Sequence, residues 1–357
     1  MPLVSERSQT TPREPGASPR PFEVAPIRPR RARATFFVLV GAVLLVVAGS
    51  MFLGSNPIAP AQVLSALLDP ASDIDSIVWG SRVPRTALGA LVGSCLGVAG
   101  TVMQGQTGNP LADPGLFGVS AGASLAVVLG VYVLGVNSMT LTLTMALVGA
   151  TVASVVVFGV AALGRGLASP VPLAIAGTAV TALLGAITSF LVLNDQESLD
   201  AYRIWVVGSL SGRTLEGIGP VLVFVAIGLA CALANVRSLN NLALGTDLAR
   251  GLGESLWRAR LVGLGAITFL TAGAVALTGP IAFIGLTAPH VGRALVGSDH
   301  HRLLPASGLI GVVALLACDV LGRLIGGQAE VSVGVVLAAV GGVAFVMIVR
   351  RAKLASL

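Results

Sequence analysis

From Thr35 onward the chain is a succession of long apolar runs divided by short polar breaks, and the length of the runs decides the element type. Ten runs stand out, at about residues 35–54, 83–106, 117–135, 139–163, 171–193, 217–236, 258–278, 283–296, 304–325 and 333–349. Most approach or exceed the roughly 20 residues with which a helix crosses about 30 Å of hydrocarbon. Lipid offers no partner to backbone N–H and C=O groups, so each run is predicted as a helix, which satisfies them internally. The predicted fold class is all-α, a polytopic membrane bundle of about ten transmembrane helices. The eighth run is short and interrupted by Pro289.

The polar breaks orient this bundle. With the N-terminus inside, the cytoplasmic segments are the tail, residues 107–116, the surroundings of Arg165, residues 237–257, residues 297–303 and the C-terminal "RRAKLASL", and they hold most of the arginines, as the positive-inside rule asks. Residues 194–216, the outer loop, carry Asp195, Glu197, Asp200 and Glu216 alongside Arg203 and Arg213. An even number of spans with both termini cytoplasmic follows. Three arginines break the pattern: Arg82 and Arg85 in "WGSRVPRTALG", and Arg323, all at outer ends of spans. Snorkelling to the interface accounts for a lone arginine, and Asp319 stands one helical turn from Arg323, at the spacing of an ion pair. Three on one face predict an acidic partner docking from outside.

Composition agrees with the runs. The 357 residues are 55% hydrophobic and 11% charged, with a mean hydropathy of +0.91, far from the roughly 25% charged of soluble domains. Gly89, Gly93 and Gly97, among 45 glycines, form a stripe of small residues that lets helix backbones approach closely in lipid. Cys95, Cys231 and Cys318 lie in separate apolar runs and are read as packing residues, without disulfide or metal. Residues 1–34, rich in Pro, Arg and Ser, are too long before the first run for a signal peptide and read as a disordered tail. Their clustered arginines suit topogenesis and anionic lipid, not nucleic acid. The domain plan is this tail, a membrane domain over 35–351 and a short tail over 352–357.

Two stretches interrupt the runs with Gly and Pro, "MQGQTGNPLADPGLFGVSAGAS" from Met103 and "LTGPIAFIGLTAPHVGRALVG" from Leu277. Irregular backbone at membrane depth lines cavities or is buried in protein, so the pair predicts two related halves flanking a central pathway, with Asn109, Pro110, Asp113 and Pro114 as candidate lining residues. Between Arg237 and Trp257 the chain is too polar to span. Its leucines recur at helical spacing between Gly245, Gly251 and Gly253, which predicts two short helices and a turn that could dock a soluble protein or lie along the interface. The only lysine, Lys353, follows no glycine-rich loop, so no Walker A site is present. Few acids lie within spans, Asp319 being the clearest, which weakens coupling to an ion gradient in a secondary transporter. His290, His300 and His301 do not make a metal site with Asp299 alone, and no catalytic signature is present.

The quoted stretches, with "LNNLALGTDLARGLG", "CDVLGRLI" and "EVSVGVVLAAVGG" in the same order, resemble the FecCD-like permease subunits of ATP-binding-cassette importers for iron-siderophores, haem and cobalamin, over about residues 36–351. The resemblance implies a type II importer permease in a bacterial cytoplasmic membrane. Its partners would be a second permease, identical or paralogous, two cytoplasmic ATPase subunits that hydrolyse ATP with Mg, and an extracytoplasmic substrate-binding protein. This chain would bind no cofactor or metal and catalyse no reaction. Docking of the binding protein would fall to Arg82, Arg85 and Arg323, and coupling to the ATPase to Leu242, Leu244, Gly245, Asp247, Leu252 and Gly253. Thr178, Thr181 and Ser189 of the fifth span would line the pathway. Where many relatives read "ELPVG", this chain has "EVSVG" from Glu330, a form similar to the ferric-catecholate branch. A ferric siderophore is thus the expected cargo, with cobalamin or haem as the alternative.

Overall fold

The computed structural model describes residues 29–68, 74–135, 138–163 and 170–354, so most of the expected N-terminal tail and the last three residues lie outside it. The described chain is helical throughout. It begins with α1 (Pro29–Phe52), α2 (Pro60–Leu68) and α3 (Asp75–Ile77), which continues through a π-helical turn, Val78–Arg82, into α4 (Val83–Thr107). After a 3-10 turn at Pro114–Phe117 follow α5 (Val119–Leu134), α6 (Met139–Leu163), α7 (Pro170–Asn194), α8 (Gln196–Val206) and α9 (Gly219–Ala234). The rest comprises α10 (Val236–Leu242), α11 (Thr246–Gly251), α12 (Leu256–Thr278), α13 (Ile284–Val296), α14 (His300–Gly326) and α15 (Val333–Leu354).

Each of the ten expected spans coincides with one of these helices, α1, α4 to α7, α9 and α12 to α15. Two boundaries move. The helix through Arg82 starts at Asp75, ahead of the expected 83, and α1 starts at Pro29, ahead of 35. Arginine and alanine are good helix formers, so charge marked the edge of the apolar run without ending the helix.

The core is built on α4 and α14, which run antiparallel. A Cβ placed on Gly93 would stand 2.5 Å from the carbonyl oxygen of Gly311, and one on Gly97 only 2.1 Å from that of Ser307. The small-residue stripe thus brings two backbones into contact, the form of helix association available where no hydrophobic effect separates protein from solvent. Helix α13 closes on the same face of α4, with Gly100 against Gly285. α12 packs on α4 and α9, and α5 on α6. α1 and α7 lie outermost, with exposed Phe37, Leu44 and Leu45 on α1 and Leu183, Phe190 and Leu193 on α7.

The two Gly/Pro-interrupted stretches meet. α4 stops where Gly108 turns left-handed at φ 61° before Asn109–Pro110. α12 stops at Gly279, whose φ is 77°, before Pro280. A Cβ on Gly285 would stand 2.6 Å from the ring of Pro114, so only glycine lets the start of α13 reach the first stretch.

Candidate functional site

Three polar assemblies lie on this frame, one at the α4 N-terminal end and two at the opposite end. At the first, Arg82, Arg85 and Arg323 come together, but they face inward, each no more than 5% exposed. The side chains are held by internal partners, and each cation is matched to acceptors already in the bundle. Arg82 leaves the π-helical turn and donates from Nη1 to Met51 O at 2.7 Å and from Nη2 to Asn56 O at 2.8 Å. Arg323 donates from Nη1 to Ser50 O at 3.0 Å and Leu53 O at 3.1 Å. Together they collect carbonyls at and just beyond the C-terminus of α1, where a cation also meets the negative end of the helix dipole.

Arg85 is fixed by carboxylates. Its Nη2 lies 2.8 Å from Asp319 Oδ1 and its Nε 3.0 Å from Oδ2, while Nη1 lies 2.7 Å from Glu330 Oε2. Asp319, fully buried, also holds Arg323 Nη2 at 2.8 Å across one helical turn, the ion pair that the i, i+4 spacing allowed. Glu330 further accepts from Ser55 Oγ at 2.8 Å and Ser211 Oγ at 3.1 Å. Burial works to raise its carboxyl's pKa, but the bonds from Arg85 and Ser55 and the Arg85 charge outweigh that and hold it below the usual carboxylate range. A cavity of about 260 Å³ opens beside the group, walled by the three arginines, Glu330, Ser55 and Ser81.

At the opposite end, Gln104 gathers the interrupted stretches. Its Nε2 donates to Ala112 O at 3.3 Å and Leu286 O at 3.2 Å, and its Oε1 accepts from Arg293. Gln106 donates to Ala259 O at 2.8 Å, adding α12. Asn109 and Asp113 are spent on the turn itself: Asn109 Oδ1 accepts from Leu111 N at 2.9 Å and Asp113 Oδ1 from Gly115 N at 2.8 Å. Pro110 is half-buried and Pro114 buried in this turn. Of the candidates on α7, Thr178, Thr181 and Ser189 are all exposed. Only Thr181 is brought to the turn, its Oγ1 3.5 Å from where a Cβ on Gly118 would stand. Ser189 lies eight residues on, about 12 Å along the axis.

The polar segment between α9 and α12 folds as the two expected short helices. Asn240 of α10 ties it to α14: its Oδ1 accepts from His300 N at 2.9 Å and lies 2.8 Å from His300 Nδ1, and its Nδ2 donates to Asp299 at 2.9 Å. Glu254 closes the segment on itself, accepting from Ser238 Oγ at 2.7 Å and Asn241 Nδ2 at 2.9 Å, and these bonds hold its carboxyl below the usual range. Leu242 is half-buried at the turn, and Gly245, with φ 102°, and Gly253, with φ 80°, bend the chain on either side of α11. Leu244, Leu248, Leu252 and Trp257 are each more than half exposed, and Asp247 pairs with Arg250 at 3.2 Å. These exposed side chains form an apolar knob.

Residues 42–351, nearly all of the bundle, match the FecCD transport family. The chain belongs to that family. Among its relatives is the ferric enterobactin transport system permease protein FepD of Escherichia coli (strain K12), 44% identical over 86% of this chain and 92% of FepD. The iron(3+)-hydroxamate import system permease protein FhuB of Bacillus subtilis (strain 168) is 36% identical over 88% of this chain and 84% of its own. A metal-chelate type ABC transporter solved in an inward-facing conformation superposes with a TM-score of 0.75 at 26% identity, over 89% of this chain and 99% of that one. The FecCD family is one of transport permeases, so the all-α bundle is a multi-pass permease fold.

Gln104, Asn240 and Glu254 were not singled out from sequence. Gln104 left a trace, an amide inside an apolar helix, which in lipid calls for a partner. Asn240 and Glu254 sit in an already polar segment and left none.

Proposed function

We propose that this chain is the permease subunit of an ATP-driven importer that carries a ferric siderophore across the bacterial cytoplasmic membrane. The carrying observation is the family match over residues 42–351, and the relatives named for ferric enterobactin and iron(3+)-hydroxamate support the cargo class. In this reading two permeases pair, and the knob of α10 and α11 seats against a cytoplasmic ATPase subunit, which holds ATP and Mg. A substrate-binding protein delivers the chelate at the arginine end. Both termini are cytoplasmic in this reading, which the arginine-rich breaks support. ATP binding below and docking above bias the same permease between inward- and outward-open states, and the two sites are then coupled by linkage. Cobalamin is the second cargo reading, favoured by the cobalamin import system permease protein BtuC of Halobacterium salinarum, 36% identical over 79% of this chain.

The test is radiolabelled iron uptake by cells carrying the full transporter. Leu244→Asp with Leu248→Asp is expected to abolish uptake while the chain remains in the membrane. Uptake that persists when ATP is depleted but the ion gradients are maintained would overturn the reading in favour of a secondary transporter.

A further inference from the structure

The outer assembly contains two carboxylates on one guanidinium, and they are not equivalent. Asp319 is fully buried within α14 and shared by Arg85 and Arg323. Glu330 lies on the connection between α14 and α15, its side chain 22% exposed, and holds Arg85 by the single Nη1 bond. Its remaining partners are hydroxyls on two other connections, Ser55 and Ser211. Its backbone, at φ 34° and ψ 121°, is in the region that residues other than glycine rarely adopt. Such strain persists only where surrounding contacts enforce it, and it clusters at sites that switch. Glu330 also forms a wall of the cavity, together with Arg82, whose hydrogen-bond partners are carbonyls alone. Three guanidinium groups thus face two carboxylates, leaving the cavity one positive charge in excess.

We infer that Glu330 is an internal stand-in for an acidic side chain of the docking protein, and that docking displaces it from Arg85. The cavity accepts a carboxylate that adds to the Arg82 side and takes over the Nη1 donor. Glu330 then withdraws towards solvent, the backbone of the connection relaxes, and the links from Ser55 and Ser211 to the start of α15 are released. Occupancy of the cavity is thereby converted into freedom of the α14–α15 connection. This rests on the docking role proposed above; the new element is competition by Glu330.

The experiment measures the affinity of the substrate-binding protein that restores uptake for the complete transporter, permease and ATPase together, in nanodiscs. Glu330→Gln keeps an acceptor for Arg85 and removes the competing charge, so docking is expected to tighten by on the order of tenfold, the worth of one charged hydrogen bond. Ser55→Ala with Ser211→Ala leaves the charge but loosens its hold, and is expected to tighten docking in the same direction by a smaller factor. This second variant keeps the test decisive if Glu330→Gln unfolds. Unchanged or weaker docking in the folded variants overturns the displacement. The docking role itself is tested separately by amidating the surface carboxylates of the binding protein. If the amidated protein docks as before, that role fails; if amidation abolishes docking while both variants remain neutral, only the displacement fails.

Discussion

Removing Asp319 tests whether the arginine assembly is a folded core. In Asp319→Ala, Arg85 loses the bonds from Nε and Nη2 and Arg323 loses the 2.8 Å pair from Nη2, with both residues at most 5% exposed. Glu330 remains as the only carboxylate of the group. Breaking one partner out of a buried pair costs about 3–5 kcal/mol, because the surviving charge stays buried. At about 1.3 °C per kcal/mol for a chain of 357 residues, the thermal midpoint should fall by about 4–7 °C. Buried Cys95 and Cys318 make a thiol-reactive dye a suitable probe of unfolding in detergent. Arg85→Met with Asp319→Leu removes a cation and an anion together and should cost less than Asp319→Ala alone, since well-packed apolar side chains replace a buried pair at little cost. A midpoint unchanged in Asp319→Ala, or a double variant worse than the single, would refute the reasoning that the carboxylate neutralises two buried arginines.

Two other outcomes are expected. Gly97→Ala and Gly100→Ala each place a methyl group about 2 Å from a backbone carbonyl, of Ser307 and Gly285, which no rotamer relieves. Overpacking of about 1–3 kcal/mol is expected, outweighing the gain in helix propensity of about 1 kcal/mol. Gly185→Ala on α7, with nothing within 4 Å, should be neutral or slightly stabilising by the same thermal assay. Glu254, whose folded pKa is depressed by Ser238 and Asn241, contributes stability that is complete above the unfolded value of about 4.3 and lost as pH falls through the folded one. Melting curves between pH 6 and pH 3 should therefore separate wild type from Glu254→Gln at the upper end and converge at the lower.

What was legible in the sequence is what local chemistry dictates. Apolar run length located a helix at each of the ten runs, the short eighth among them: in α13 Pro289 is buried by its neighbours. Gly and Pro marked both interrupted stretches, and leucine spacing gave α10 and α11. The arginines were the opposite case. Their place at the edge of a run was plain, but whether Arg85 faced outward depended on partners 234 and 245 residues away, and pairings that distant have no local signature. The link from Asn240 to His300 across 60 residues was hidden for the same reason. The helix α8, in a segment expected as an outer loop, begins where Asp195 caps it by accepting from Ser198 N at 2.8 Å, a cap visible only once the run is read for helix starts.

The α4–α14 pair gives the distant assemblies a common frame. α14 has 27 residues, about 40 Å at 1.5 Å per residue. Near one end stand Asp319 and Arg323, and at the other Asp299 and His300 are bound to Asn240 of the polar segment. Along the middle its backbone touches that of α4, so the pair has no soft side-chain layer in which a displacement could dissipate. A shift imposed on Arg85 or Asp319 is therefore expected to move the pair as a unit, towards Gln104 and Asn240 at its other end. Packed elements of this kind switch between arrangements and do not deform continuously. The parts free to respond lie outside the pair: the connection carrying Glu330 at one end, and the exposed leucines of α10 and α11 at the other.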